Sequence, residues 1–530
     1  MPESSTAQSP SSRPALRRCL FLCLPALIIG AALRISVMTA LPQGYYGPDS
    51  NSYFDTTSSL WLKHEWDLGP KRRWVYPLIL TVTPALPGPP VTVIAIAQRA
   101  LGLCTVFGIG WIVMHLTRRP KIWVPLVTIL AALWPRMIWY EQEIVAECLL
   151  LASIVLAIAL AFPVGALRDR RRLFWFLMAA ALIVAVKPHG RPIWLGLMIS
   201  AVLLGGVPWR WGKACWLAVG VSLAVIFTTG SSKQGPWLLL SSAFPLVDTE
   251  HGKWPEYRKI LRPFIEESRT DLSQYPWRQD RYKKMLTESK EDPTLGPEWQ
   301  EMLKEKKKTK FLAVCRALAV DAIVHHPFTY SRMVLQKIGM VLSDTHGGIT
   351  LAPRAFWTSQ LKDNEDRWTR HPDEMQLLYR VDQNAYEALA ADRRQYHEWY
   401  EPYVYKFSQA FAWMRVEGRT PRTLHAAWFG LLALFGLLTC LRPSRWRETA
   451  PLWLSLGLFL VIIFSIGDSV SRYLQPVEWM GIIFAALGLD WLLQLVCPAR
   501  APIPGPTPEV PRSKDPLNPT LPPIAPGAGN

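Results

Sequence analysis

The chain has 530 residues, half of them hydrophobic, and a formal net charge of +17. The hydrophobic residues are gathered in long runs, many near the roughly 20 residues that an α-helix needs to cross a bilayer, which excludes a set of ordinary soluble domains. The positive charge stands mostly in short segments between these runs, which is typical of membrane orientation, and neither a nucleic-acid motif nor a nucleotide-binding glycine motif is present. The composition therefore predicts an all-α integral membrane protein without a nucleic-acid partner.

The apolar runs predict about ten transmembrane helices. They lie at 17–40, 91–116, 122–139, 145–163, 214–230, 424–441, 450–467 and 475–497, with two shorter ones in the split stretch 173–207. The split stretch is compatible with two true crossings or with a re-entrant pair, since each half is short for a span. A further apolar piece, Tyr76–Leu86, is Pro-broken and predicts a half-buried interfacial helix.

These runs divide the chain into five segments. They are a disordered N-terminus at 1–16, a transmembrane core at 17–230 with a first external loop at 41–90, a mostly helical external region at 231–423 between helices seven and eight, C-terminal transmembrane helices at 424–497, and a disordered Pro-rich tail at 498–530. A cytoplasmic N-terminus puts the short basic loops on the inner side, in agreement with the positive-inside rule. We therefore predict a multi-pass protein of the plasma (inner) membrane, or alternatively of the endoplasmic reticulum membrane, with both termini cytoplasmic.

The turn Gly47–Ser50 follows the first apolar helix on its external side. Its Asp49 is interpreted in two ways: it caps a helix that begins at Tyr53, or it is a general base facing an external acceptor. A carboxylate held by a turn at the rim of a membrane domain suits the second role. Position alone leaves both open.

Ionisable residues in or beside membrane helices are costly, so their depth is informative. In the ten-helix arrangement nearly all of them fall in the outer half or at the outer rim: Arg34, Arg99, Arg136, Glu141, Glu143, Glu147, Lys187, Arg191, Asp468 and Arg472. Asp490, near the inner end, is the exception. This asymmetry predicts a polar cavity open to the outside, although single cations near helix ends are also explained by snorkelling to the headgroups.

A cavity of this kind suits chemistry on a lipid-linked phosphate, with cations holding the phosphate as it leaves. The cations best placed for this are Lys71, Arg72, Arg73, Lys187, Arg191 and Arg472. Each of them alone is more often an interface anchor than a phosphate ligand. The adjacent His325 and His326 lack a third ligand at helical spacing, so no metal site is predicted.

Several motifs, taken in order, resemble the polytopic glycosyltransferases of the C superfamily, in particular the branch of the dolichyl-phosphate-mannose protein mannosyltransferases and the bacterial lipid A aminoarabinose transferase. The matching pieces are Arg34, the Gly47–Ser50 turn followed by Tyr53, the Arg-Arg-x-x-Tyr-Pro-Leu piece at 72–78, the acidic link ending in Glu147, His326-Pro327, and Ser471-Arg472-Tyr473-Leu474-x-Pro476. The resemblance covers most of residues 17–497.

The resemblance implies an inverting transfer of a sugar from a polyprenyl-phosphate donor at the outer face of the bilayer. It implies Asp49 as the base and Glu143 or Glu147 as a second acid, with Arg72 or Arg73 and Arg472 meeting the donor phosphate. Arg34, Tyr53, Arg99 and Tyr473 are expected to line the cavity. Ser50 stands where many relatives carry a second acidic residue, which leaves open the acceptor (protein, lipid or polysaccharide) and any need for a divalent cation.

Two other classes of protein remain open on the sequence. A transporter or lipid flippase is expected to spread polar groups through both bilayer halves and to carry an internal repeat, and inspection finds neither. A non-catalytic cell-envelope assembly protein, whose external region binds a partner, is expected to tolerate the loss of Asp49.

Overall fold

The computed structural model of the chain describes residues 12–40, 48–66, 74–206, 211–228, 235–270, 308–343, 367–392, 424–466 and 475–496, with a few single positions between them. Across these residues the chain is helical and has no strand, which confirms the all-α part of the prediction. The helices of the first half are α1 (Ser12–Ala40), α2 (Pro48–Lys63), α3 (Val75–Val82), α4 (Pro90–Leu116), α5 (Pro120–Leu133), α6 (Pro135–Gln142), α7 (Glu147–Leu160), α8 (Arg170–Val186), α9 (Arg191–Gly205) and α10 (Lys213–Thr228).

The second half continues with the described parts of the external region and the last apolar helices. They are α11 (Gly235–Ala243), α12 (Pro255–Arg269), α13 (Lys308–His325), α14 (Pro327–Ser343), α15 (Pro372–Tyr379), α16 (Gln383–Asp392), α17 (Leu424–Cys440), α18 (Ala450–Ile466) and α19 (Gln475–Val496). The predicted apolar runs therefore coincide with helices, and the described pieces of 231–423 are helical as well.

Three helices within the described ranges are long and apolar enough to cross a membrane: Arg13–Met38, Pro90–Leu116 and Pro476–Val496. A fourth candidate is the pair α13 and α14, which passes the same test together but is bent by 103°. Most other apolar helices have 10–17 residues. At 1.5 Å per residue they are shorter than a hydrocarbon core of about 30 Å. The helices are thus compatible with an α-helical membrane protein, while their lengths identify fewer clear spans than the ten predicted.

One cause of a shortened helix is visible where the sequence predicts a single helix at 122–139. The chain instead forms α5 and α6, separated at Trp134, whose backbone is extended (φ −66°, ψ 115°). Pro135 follows it, and a residue before proline is driven out of the helical region because the proline ring collides with its backbone. The predicted third helix is therefore two helices.

The apolar helices pack into a bundle in which early and late parts of the chain alternate. Helix α1 lies against α4 and α5, α4 lies against α7, and α8 lies against α7, α9 and α10. The late helices close the bundle: α18 packs on α9, and α19 packs on α17, α5 and α7. Helices α17 and α19 approach so closely that a Cβ on Gly436 would overlap the Phe484 carbonyl, a small-residue contact common between membrane helices.

Asp490, the acidic residue predicted near the inner end, joins α19 to the turn between α4 and α5. Its carboxylate accepts hydrogen bonds from the Arg118 backbone N–H at 3.1 Å and from the Trp123 indole at 2.8 Å. Gln494 adds a third donor at 3.0 Å. This buried carboxylate is therefore compensated by fixed donors, which explains why it is tolerated away from the other ionisable residues.

Described helices from the segment 231–423 pack on the bundle, and two of these contacts include hydrogen bonds. Helix α14 packs on α18, and the Tyr330 hydroxyl donates to the Ser465 carbonyl. Helix α15 packs on α2 and α4, and the Arg380 guanidinium donates to the Pro84 carbonyl at 2.6 Å. Residues late in the external region thus lie directly against the helices that carry the candidate site.

Candidate functional site

The candidate site lies at the N-terminal end of α4, at the end of the bundle opposite to Asp490. The link between α6 and α7, residues 143–146, is surrounded here by α2, α3 and α4. The buried Ser50 hydroxyl donates to the Ile144 carbonyl at 2.9 Å. This hydrogen bond joins the first turn of α2 to the acidic link, so the turn that carries Asp49 stands beside the segment that carries Glu143.

Helix α2 begins at Pro48, five residues earlier than the predicted start at Tyr53. Proline is favoured at the first helical position because its backbone angle already suits a helix and its missing N–H would have no partner there. Asp49 is therefore within the first turn and not at the cap position, where its negative charge also suits the helix dipole. The Ser52 hydroxyl donates to the Asp49 carbonyl at 2.9 Å, and the Asp49 side chain is half-buried.

Gln98 on α4 holds the acidic link in place. Its amide nitrogen donates to the carbonyls of Glu143 at 2.8 Å and Glu141 at 3.2 Å, and its amide oxygen accepts from the Tyr76 hydroxyl. The Tyr76 ring in turn meets Tyr53 edge to face, with ring centroids 5.1 Å apart. The buried Gln98 side chain thus connects Tyr76 of α3 to the acidic link, and Tyr53 of α2 packs against Tyr76.

Arg34 and Glu141 form a buried ion pair. Arg34 Nε and Nη2 donate to the two carboxylate oxygens of Glu141 at 2.6 and 2.5 Å, and both side chains are 3% exposed. Arg34 Nη1 also donates to the carbonyls of Gly30 and Ala132, each at 3.1 Å. The Arg34 guanidinium is predicted to line an open cavity, but its donors are hydrogen-bonded to one carboxylate and two carbonyls. These hydrogen bonds attach α1 to the segment leading into the acidic link.

Arg99, on the same helix as Gln98, is also buried and lies within electrostatic range of Glu141. Gly102, one turn further along α4, faces the Glu141 carboxylate so closely that a Cβ would overlap it. Two arginines and a glycine therefore surround this one carboxylate. Arg99 was predicted to line the cavity, and the structure places it beside the Arg34–Glu141 pair.

Two further predicted residues meet in a second ion pair. Glu147, the first residue of α7, contacts Lys187, which ends α8, and the two side chains are 8% and 14% exposed. Arg191 begins α9, and its Nη2 donates to the Ile226 carbonyl at 3.1 Å. The proposed second acid and one proposed phosphate ligand are thus in direct contact, at the point where the acidic link runs into α7.

Five predicted site residues, Lys71, Arg72, Arg73, Arg472 and Tyr473, lie outside the described residues. Helix α3 begins at Val75, shortly after the first three, and α19 begins at Gln475, shortly after the other two. Within the described ranges, no three His, Cys, Asp or Glu side chains are grouped as a metal site.

Comparison with known proteins identifies no relative: no family model, curated protein or solved structure matches this chain. The chemistry is therefore inferred from the site itself. A half-buried aspartate at a helix start, carboxylates on a fixed link and cations on neighbouring helices form an arrangement that is capable of taking a proton and of balancing an anion.

Proposed function

We propose that this chain is an integral membrane glycosyltransferase, which moves a sugar from a polyprenyl-phosphate donor to an external acceptor with inversion. The observation that carries the proposal is the hydrogen bond from Ser50 to the Ile144 carbonyl, because it brings the Asp49 turn beside the acidic link. The sequence motifs resembling the C superfamily add a reaction to this geometry. The acceptor is a protein, a lipid or a polysaccharide.

In the proposed reaction Asp49 takes the proton from the acceptor hydroxyl. The acceptor oxygen then attacks the anomeric carbon from the side opposite to the phosphate, and the bond between that carbon and the phosphate oxygen breaks. Glu143 or Glu147 is the second acid of the site. The lipid phosphate departs with its negative charge balanced by nearby cations, for which we propose Arg72, Arg73, Lys187, Arg191 and Arg472.

The ion pair between Lys187 and Glu147 gives this proposal a specific feature. Lys187 is 14% exposed and contacts a carboxylate, so an arriving phosphate competes with Glu147 for the ammonium group. Release of Glu147 on donor binding would leave that carboxylate beside the reacting sugar. In the proposed reaction, donor binding at Lys187 thus changes the position of the Glu147 carboxylate.

The proposal includes a topology. Ten crossings, with both termini in the cytoplasm, put the site on the outer side of a plasma (inner) membrane or the luminal side of the endoplasmic reticulum membrane. The short helices require local thinning of the bilayer or tilting of their neighbours, which costs only fractions of a kcal/mol per Å of mismatch.

The test is a transfer assay in membranes with labelled polyprenyl-phosphate sugars, comparing the native chain with Asp49→Asn. Loss of a general base lowers a rate by about a hundredfold or more, and we expect that loss here. Asp55→Asn is the matched control, because Asp55 is an exposed aspartate on the same helix. Native rates in the Asp49 variant would remove Asp49 as the base.

The other two classes give different results in the same membranes. Movement of a labelled lipid across the bilayer without formation of a new glycosidic bond would identify a transporter or flippase. An assembly protein would show neither activity with any donor, and cell-envelope assembly would persist in the Asp49→Asn variant.

A further inference from the structure

The bent pair of helices α13 and α14, here called the elbow, has features that the proposed reaction does not use. The pair turns through 103° at His326, immediately before the proline that begins α14. A proline at the first helical position starts a new helix readily but cannot extend the preceding one. The elbow is therefore a fixed corner of the external region.

Large apolar side chains on the outer surface of the elbow are exposed. Val320 and Val324 on α13 are 46% and 66% exposed, and Phe328 and Leu335 on α14 are 89% and 66% exposed. Val320 and Val324 are one turn apart on α13, and Phe328 and Leu335 are two turns apart on α14, so each pair lies on one face of its helix. We call these four residues the elbow stripe. Exposing an apolar stripe of this size to water costs free energy. We therefore expect another apolar molecule or phase to contact it.

The other faces of the elbow are packed, so the stripe is not the remainder of a poorly formed core. Leu318 on α13 and Met333 on α14 are 0% and 2% exposed. Helix α13 lies against α11, and its Asp321 pairs with Arg258 at 2.6 Å. The elbow is thus amphipathic, with one face fixed inside the protein and one face left apolar.

The elbow stripe continues an apolar surface of the bundle. Helix α14 packs on α17 and α18, and Tyr330 is bonded to the Ser465 carbonyl at the end of α18. On these two helices Leu431 and Val461 are 40% and 52% exposed, in segments apolar enough to lie in lipid. Exposed apolar side chains are therefore present on α14 and on both apolar helices that it contacts.

Basic residues border the stripe on both helices. Arg316 is exposed four residues before Val320, and Arg332 is exposed between Phe328 and Leu335. An apolar stripe with cations beside it suits the headgroup layer of a bilayer, where acyl chains and phosphates lie a few ångströms apart. A protein partner would not need the apolar surface to be continuous with the lipid-facing helices.

We propose that the elbow lies in the interfacial layer of the outer leaflet, with the elbow stripe among the acyl chains and Arg316 and Arg332 at the phospholipid phosphates. A full crossing is disfavoured by the bend and by the Arg258–Asp321 pair, which attaches α13 to the external region. The inference depends on the membrane position of the bundle and is independent of sugar transfer.

The test is photo-crosslinking in native membranes with p-benzoylphenylalanine at single positions of the full chain. We expect lipid adducts from Phe328 and Leu335 at yields similar to Val461, the lipid-facing control. They should exceed the yield from Arg262, an exposed residue on α12, by roughly tenfold, since burial of one large apolar side chain is worth at least that factor. Adducts to another protein or to a second copy of this chain, or yields no higher than from Arg262, would overturn the proposal.

A second experiment asks whether the stripe itself holds the elbow in lipid. The probe is placed at Val324, and the double variant Phe328→Ser, Leu335→Ser removes two apolar side chains that make few contacts with the protein. We expect the lipid adduct from Val324 to fall roughly tenfold or more. An unchanged adduct yield would show that other contacts place the elbow and would overturn the role of the stripe.

Discussion

Replacement of Arg34 by methionine tests the most deeply buried charge pair of the candidate site. Methionine approximates the length of the arginine stem but carries no charge and donates no hydrogen bond. The Arg34→Met change removes two charged hydrogen bonds to Glu141 and two to carbonyls. Glu141, whose side chain is 3% exposed, is left as a buried carboxylate with Arg99 as the remaining described cation that acts on it.

The magnitude follows from that burial. Breaking a buried ion pair by removing one partner costs about 3–5 kcal/mol, because the remaining charge loses its compensation without regaining water. The carbonyls of Gly30 and Ala132 add little, since Gly30 lies in the middle of α1, where a helical N–H is available to its carbonyl. We therefore expect a loss of about 3–5 kcal/mol in the free energy of unfolding, seen as a fall of roughly 3–5 °C in the apparent midpoint, because the unfolding entropy grows with chain length.

The second part of the experiment measures the interaction energy between Arg34 and Glu141 separately from the effect of burying either side chain alone. Glu141→Met leaves the guanidinium buried and should cost a similar amount, whereas the double variant replaces both charges by apolar groups of similar volume. Such double replacements are often close to neutral. We expect the double variant to recover most of the loss, so that the two single losses of about 3–5 kcal/mol do not add and the coupling energy between the two positions is about 5 kcal/mol or more, above the usual range for residues in direct contact.

The assay is thermal unfolding in detergent micelles or nanodiscs, followed by the reaction of a thiol dye with newly exposed cysteines. Cys148 is 3% exposed beside the site and reports its opening, and its Sγ contacts the Gln98 carbonyl. Arg262→Met, at an arginine that is 51% exposed, is the control and should change little. Single-variant losses below about 1 kcal/mol that simply add in the double variant would refute the buried pair.

Three further predictions concern the rest of the fold. Gly436→Ala should lower the free energy of unfolding by about 2 kcal/mol or more, because its methyl group overlaps the Phe484 carbonyl and forces α17 and α19 apart. Asp490→Leu should cost about 2–5 kcal/mol, because the Trp123 indole and a backbone N–H lose their buried acceptor. Backbone N–H donors hold the pKa of Asp248 below its ordinary value of 3.8, so the stability this residue adds is complete above about pH 5 and disappears as the pH falls through the lowered pKa. The midpoint difference between the native chain and Asp248→Asn should therefore be constant from pH 7 to about pH 5 and shrink below about pH 4.

Each of these predictions has a control on the same element. Gly430 also lies on α17, but a Cβ there meets open space, so Gly430→Ala should be neutral, and equal losses at the two glycines would contradict the close packing. Asp490→Asn keeps an acceptor and should cost less than Asp490→Leu. For Asp248, a midpoint difference that stays constant to pH 3 would show that the two backbone donors do not depend on its charge.

Hydrophobic patterning predicts where the helices lie, because each apolar run must be buried or placed in lipid whatever it touches. Hydrophobic patterning does not predict which side chains from distant parts of the sequence contact each other. Arg34 and Glu141 are 107 residues apart, and nothing local to either shows that they meet. The start of α2 at Pro48 and the break before Pro135 are local effects of proline and could have been predicted from the sequence.

The depth of the ionisable residues does not identify Gln98, because its side chain carries no charge. A glutamine beside Arg99 in an otherwise apolar run is the signal that could have identified it, since its amide also requires partners when buried. The Lys187–Glu147 pair could be anticipated only in part: both residues were predicted at the outer rim, but their contact depends on how α7 packs against α8.

The hydrogen bond between Asp490 and the Arg118 backbone has a consequence for biosynthesis. The two residues are separated by 372 positions, so the ribosome completes the acceptor long after the donor has entered the membrane. Until α19 arrives, the turn after α4 remains without this carboxylate, and the nascent protein is exposed to quality-control proteases in that state. Premature stop codons that remove α19 should therefore lower the abundance of the protein by degradation, even though every residue of the candidate site before them has been synthesised.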